Sequence, residues 1–167
     1  MPVPFAALVA VVATCWLPPV DAPVVDPFRA PACTWCPGNR GIEYGPVPGQ
    51  TVVAVEAGTV SFAGSVARVA YVVVLHDDGI RATYGRLEQI GVVTGQRVSA
   101  GQRLGTTTGR FYFGLRDGNT PVDPTPLIGR RTWPARLVPM DGTPARPVAP
   151  LGPVCPADAR GNGRPGR

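Results

Sequence analysis

No lysine occurs in the 167 residues: all 16 basic side chains are arginine. That excludes Schiff-base chemistry, a phosphate-loop lysine, and the attachment of biotin or lipoate. There is one histidine, His76. A zinc hydrolase held by two or three histidines cannot be assembled from this chain by itself. Charge is scarce too, at 16% against 44% hydrophobic residues, which is not the balance of a chain disordered throughout. What is plentiful is glycine and proline, 21 of each. They argue against a helix bundle and for short strands joined by turns. The length suits one domain with tails.

The basic charge is uneven. The last 38 residues carry seven arginines and two acids, whereas Pro23 to Gly129 carries nine arginines against eight acids. A nucleic-acid protein would show its basic face on the folded domain, interleaved with aromatics, so no nucleic-acid partner is expected. The tail is compatible with an acidic wall polymer or an anionic membrane, and most simply reads as solvated.

At the other end, Phe5–Leu17 is an apolar run of 13. It is too short to span a bilayer but suits the core of an export signal. Val20-Asp21-Ala22 offers a cleavage site, although no basic residue precedes the run and Pro23 follows the cut. Residues 1–22 are therefore expected to be signal-like, 23–129 to be the folded domain, and 130–167 to be a disordered tail. The expected place is outside the cell or in its envelope, with membrane contact only through an uncleaved N-terminal segment. Export leaves Cys33, Cys36 and Cys155. A disulfide is expected among them, its pairing open, because one C-x-x-C is too little for a zinc ribbon.

Between these ends, apolar stretches alternate with turn signals at all-β spacing. Strands are expected at Thr51–Glu56, Thr59–Ala63 (turned by Gly64), Val69–His76, Ile80–Tyr84, Arg97–Leu104 and Phe111–Arg116. The continuous run Val69–His76 reads as a central strand buried on both faces. The fold class expected is a single curled antiparallel sheet of barrel-sandwich type. Val92–Val98 and Ser99–Leu104 share a glycine-framed phrase found in biotinyl and lipoyl carriers, whose lysine is missing here, and in one large peptidase family.

Six phrases, in order, carry a resemblance to that family. They are Val25-Asp26-Pro27-Phe28, Gly38–Tyr44, Pro48–Val60, Tyr84–Leu87, Arg110–Arg116 and Val122–Leu127. The stretch of roughly Val24–Gly129 resembles the β-sheet core of the lysostaphin/LytM-type zinc endopeptidases, which cut the peptide cross-links of bacterial peptidoglycan. The resemblance implies a zinc held by the histidine and aspartate of G-H-R-G-x-D and the second histidine of H-x-H. Those places hold Asn39, Glu43 and Tyr112. The two further catalytic histidines are replaced by Arg86 and Arg110. An amide oxygen and a protonated phenol are poor zinc donors, and two arginines repel a dication. No catalytic residue, no metal ligand and no cofactor are therefore expected.

The groove formed by Asn39, Glu43, Arg86, Arg110 and Tyr112 has two readings. Arginine forks bind carboxylates, so it holds a wall peptide or an acidic loop of a wall hydrolase. Otherwise an abandoned site has drifted, with Arg86 and Glu43 as an internal ion pair. As a whole protein, the first expectation is an inactive relative that binds peptidoglycan peptides or regulates a wall hydrolase. The alternatives are an enzyme with a nonstandard metal site using Glu43, His76 or a cysteine, and an assembly module that binds through its basic tail. His76 is expected to be a hydrogen-bonded strand-end residue. Asp123 is expected to cap the turn before Pro124.

Overall fold

The computed structural model describes residues 15–132 and 151–154. Eleven strands follow in chain order, with no helix among the described residues. The first five are β1 (Val24–Asp26), β2 (Ile42–Tyr44), β3 (Thr51–Val53), β4 (Gly58–Val66) and β5 (Val69–His76). Then come β6 (Ile80–Ile90), β7 (Arg97–Val98), β8 (Arg103–Asp117), β9 (Thr120–Val122), β10 (Arg130–Thr132) and β11 (Leu151–Val154). Nine form one antiparallel sheet in the order β1-β2-β8-β6-β5-β4-β7, with β3 and β9 also pairing β8. The all-β class is as expected from the sequence.

Alternation sets the faces. Ile42, Tyr44, Val72, Val74, Ala82, Tyr84, Phe111, Phe113 and Leu115 point to one side and form the core. Their neighbours point to the other side, where the candidate site lies. The run Val69–His76 is thus not buried on both faces: Val72 and Val74 are inside while Leu75 is 40% exposed. An unbroken apolar run concealed the alternation that cross-strand pairing imposes.

Turns account for the other differences. Gly64, expected to end a strand, lies within β4 opposite Tyr71. The chain reverses instead at Ala67-Arg68, both at positive φ (48° and 68°), as a two-residue hairpin linking Val66 to Val69 requires. The glycine-framed phrases use one device twice. The Gln96 and Gln102 side-chain oxygens accept from the backbone N–H of Val93 and Ser99, each at 3.1 Å, with Gly95 and Gly101 at positive φ.

Described structure continues past residues 23 and 129, the expected ends of the folded domain. Residues 15–22 are packed on the sheet: Trp16 N–H donates to Leu127 O (3.0 Å), Leu17 N–H to Val55 O (2.9 Å), and Val53 N–H to Pro19 O (2.9 Å). Val20 is buried, and the Trp16 ring lies 4.8 Å from the His76 ring. Residues 1–14, the rest of the signal-like segment, lie outside the described residues. At the other end the tail is not wholly irregular, because β10 pairs antiparallel with β11. Extended, proline-rich chain can pair at an edge without the periodicity that identifies a strand in sequence.

Cys33 bonds to Cys36, settling one pairing left open. Cys15, set aside with the signal, is itself a disulfide cysteine. The expectation for Cys155 falls outside the described residues. His76 behaves as expected, with Nδ1 2.8 Å from Ala57 O, and Asp123 Oδ1 accepts from Thr125 N–H at 2.9 Å.

Tyr84 ties β6 to the segment between β3 and β4, because its hydroxyl accepts from the buried Val55 N–H at 2.9 Å; Val55 O in turn accepts from Leu17 N–H of the N-terminal strap, residues 15–22. Tyr84→Phe orphans that donor and should cost about 1–3 kcal/mol, read by urea unfolding. Burial pushes the Tyr84 and Tyr44 phenols well above their ordinary value. A raised phenol favours the fold fully below its unfolded value of about 10, and that contribution is lost as pH climbs beyond it. Stability should hold to about pH 10 and then fall, less steeply in Tyr84→Phe.

Candidate functional site

Cross-strand register places four residues in a row on the face opposite the core. Glu43 of β2 lies across from Tyr112 of β8, which lies across from Gly85 of β6, which lies across from Tyr71 of β5. The row floors a pocket of about 320 Å³ lined by Gly38, Asn39, Arg40, Glu43, Tyr71, Arg86 and Tyr112. Four of the five residues singled out from the sequence are therefore brought together. The fifth, Arg110, stands outside the lining with its guanidinium 3.6 Å from Glu43, its side chain 65% exposed.

Arg86 reaches the pocket through an irregular backbone. It sits at φ +61° in a register shift between Gly85 and Leu87. A non-glycine residue held there costs on the order of 1 kcal/mol and turns its side chain away from simple alternation. The turned guanidinium makes two parallel hydrogen bonds to Glu43, at 2.9 and 2.8 Å. The Glu43 side chain is 13% exposed, so this bidentate pair closes one wall of the pocket. The internal ion pair weighed from the sequence is present, and the Arg86 fork is already occupied.

Tyr112 lies on a bed of glycines. A Cβ at Gly41 would stand 2.8 Å from its ring, one at Gly85 3.2 Å, and one at Gly114 2.5 Å from its hydroxyl. Burial raises the phenol above its ordinary value, although Arg116 and Arg40 pull the other way. Asn39 is buried and its side chain is committed to the backbone. Its Nδ2 donates to Pro27 O at 3.1 Å and its Oδ1 accepts from Gly41 N–H at 3.3 Å. It braces the chain just after β1 rather than offering a donor to the pocket.

This donor set does not fit a zinc ion. Both Glu43 oxygens are held by Arg86, the Asn39 amide is engaged, and the Tyr112 phenol is held protonated. Among the described residues no group of three or more His, Cys, Asp or Glu stands close enough to hold a metal. His76 lies on the core face against Trp16 and does not line the pocket.

Three lining residues were not singled out as site candidates: Gly38, Arg40 and Tyr71. Arg40 lay in the Gly38–Tyr44 phrase but at a place the resemblance gives no catalytic role, and its guanidinium donates to Thr34 O at 2.6 Å. Tyr71 carried no local signal at all, since only the β5–β6 register places it beside Gly85.

A family model, Peptidase family M23, matches residues 37–124, a span that includes every residue of the pocket. The lipoprotein NlpD/LppB homolog of Pseudomonas aeruginosa is 34% identical over 101 residues, covering 56% of this chain and 34% of that protein. The murein hydrolase activator NlpD of Salmonella typhimurium is 29% identical over 127 residues, covering 71% of this chain and 32% of that protein. The chain thus spans about a third of the length of these curated relatives. The catalytic domain of lysostaphin from Staphylococcus simulans shares the fold, with a TM-score of 0.55 at 21% identity over 63% of this chain and 90% of that one. With the family model spanning more than half of the sequence, the chain belongs to peptidase family M23.

Proposed function

We propose that this chain is a catalytically inactive M23 domain of the cell envelope that regulates a wall hydrolase or holds wall peptides. The observation that carries the reading is the fate of Glu43. It is the pocket's only carboxylate, and both its oxygens are engaged by Arg86 with Arg110 nearby. A hydrolase of this fold needs a metal-bound water, and no such water can be activated where the ligands are an ion pair, an engaged amide and a neutral phenol. No zinc cofactor is assigned. The murein hydrolase activators among the relatives point to a hydrolase partner, and the lipoproteins to the envelope.

The remaining binding capacity is at the rim. Arg86 is consumed by Glu43, so Arg40 and Arg110 are the cations that an acidic partner loop or a peptide carboxylate would meet. The test is release of dye-labelled fragments from peptidoglycan sacculi. The purified chain alone should release nothing. Added to a wall hydrolase of the same cell, it should raise that enzyme's rate, and Arg110→Ala should blunt the rise. Release by the chain alone, abolished by a chelator, would overturn the reading.

A further inference from the structure

Between β1 and β2 the chain makes an excursion that is closed twice. At its base, Arg29 and Asn39 exchange two backbone hydrogen bonds, of 2.9 and 3.0 Å. At its tip, the Cys33–Cys36 disulfide closes a four-residue loop in which Cys36 N–H donates to Cys33 O at 3.1 Å. Arg40 joins this loop to the pocket, donating to Thr34 O (2.6 Å) and Cys36 O (3.4 Å) while lining the cavity. Between the two cysteines stands Trp35, 92% exposed, the most exposed large apolar residue among those described.

We propose that the Trp35 ring is a stacking platform for an amino-sugar glycan lying along the rim of the pocket. The doubly closed frame fixes the backbone that presents the indole, which lowers the ordering cost of a binding event. A protein partner would want more than one ring. Interface cores are contiguous apolar patches of several hundred Å², on the order of 800 Å² buried per partner. The exposed residues next to Trp35 in the chain are Ala32, Cys33, Thr34, Pro37 and Gly38, none of them a large apolar side chain. A pyranose, in contrast, offers one flat C–H face bordered by hydroxyl and amide groups. That face matches a lone, exposed indole flanked by the small polar side chain of Thr34. Carboxylates borne on the sugar would be met by Arg110 and Arg116, both exposed beside the pocket.

The site goes beyond the proposed function and is tested without any hydrolase, so the two can fail separately. The full chain is titrated with the pentamer of N-acetylglucosamine, read by calorimetry and by tryptophan fluorescence. Binding is expected with a Kd on the order of 0.1–1 mM. Trp35→Ala should weaken it by about tenfold or more with an unchanged melting temperature, and Trp35→Phe should keep most of it. Cys33→Ser/Cys36→Ser, which opens the frame, should weaken it as well. Absence of binding by the unaltered chain at about 10 mM sugar, or equal binding by Trp35→Ala, would overturn the proposal. So would normal sugar binding by Trp35→Ala combined with lost stimulation of a hydrolase, which would assign the ring to a protein partner.

Discussion

A chain that begins at Pro23 should be less stable than one that begins at Cys15 by about 3–5 kcal/mol, lowering its melting temperature by roughly 10–15 °C. The segment being removed is part of the sheet's packing. Pro18, Pro19 and Val20 are buried, and Trp16 covers the His76 ring. Its loss exposes core surface and strips partners from Leu127 O, Val55 O, Val53 N–H and Gly129 N–H. It also removes the disulfide that includes Cys15. Trp16→Ala in the full chain isolates the ring and should account for about 2 kcal/mol of the total. Two chains melting within a couple of degrees of each other would show that the strap is dispensable. The same comparison bears on export, because a signal cut after Ala22 would discard core residues.

Gly41→Ala should be the most damaging single methyl in the pocket, at about 3 kcal/mol or more, with Gly109→Ala as its neutral counterpart. A Cβ at Gly41 would stand 2.4 Å from Phe113 O and 2.8 Å from two atoms of the Tyr112 ring. Neither obstacle yields cheaply. The carbonyl belongs to the β2–β8 ladder, where Ile42 faces Phe113, and the ring is held between Gly85 and Gly114. At Gly109 nothing lies within 4 Å of the added carbon. Chemical denaturation of the two variants measures the difference directly. Equal stabilities would mean that Tyr112 can leave its bed, and that the pocket floor is softer than its packing implies.

The fold was legible because its signals are distributed. Ordered phrases from Val25 to Leu127 fixed the sheet class, and four site residues converged where the matching motifs placed them. What escaped was set by contacts between distant strands. Nothing around Ala67-Arg68 marks a hairpin, since neither residue favours positive φ, while Gly64 marks a turn that is not there. Tyr71 reaches the pocket only through its partner Gly85. The composition of the apolar run ending at Leu17 suits an export signal and packed chain equally, so the packing of residues 15–17 was not legible from it. Asn39 was legible as a replacement but not as a brace, because its backbone partners, Pro27 and Gly41, belong to the loops on either side of it.

The two arginines near Glu43 show the same limit. From sequence, Arg86 and Arg110 were equivalent cations in place of two histidines. In the structure one is locked to Glu43 by two hydrogen bonds from a strained backbone, and the other stands largely in solvent 3.6 Å away. The difference arises from the register shift after Gly85, which turns one side chain inward. Their surroundings differ accordingly, with Arg86 closing one wall of the pocket and Arg110 largely open to solvent.

The most direct test of the central claim is the zinc content of the purified, untagged chain after dialysis against excess zinc. An inactive pocket sealed by Glu43 and Arg86 should retain less than about a tenth of an equivalent. A full equivalent that survives a mild chelator would contradict the account, and would mean that these residues rearrange into a metal site able to support hydrolysis.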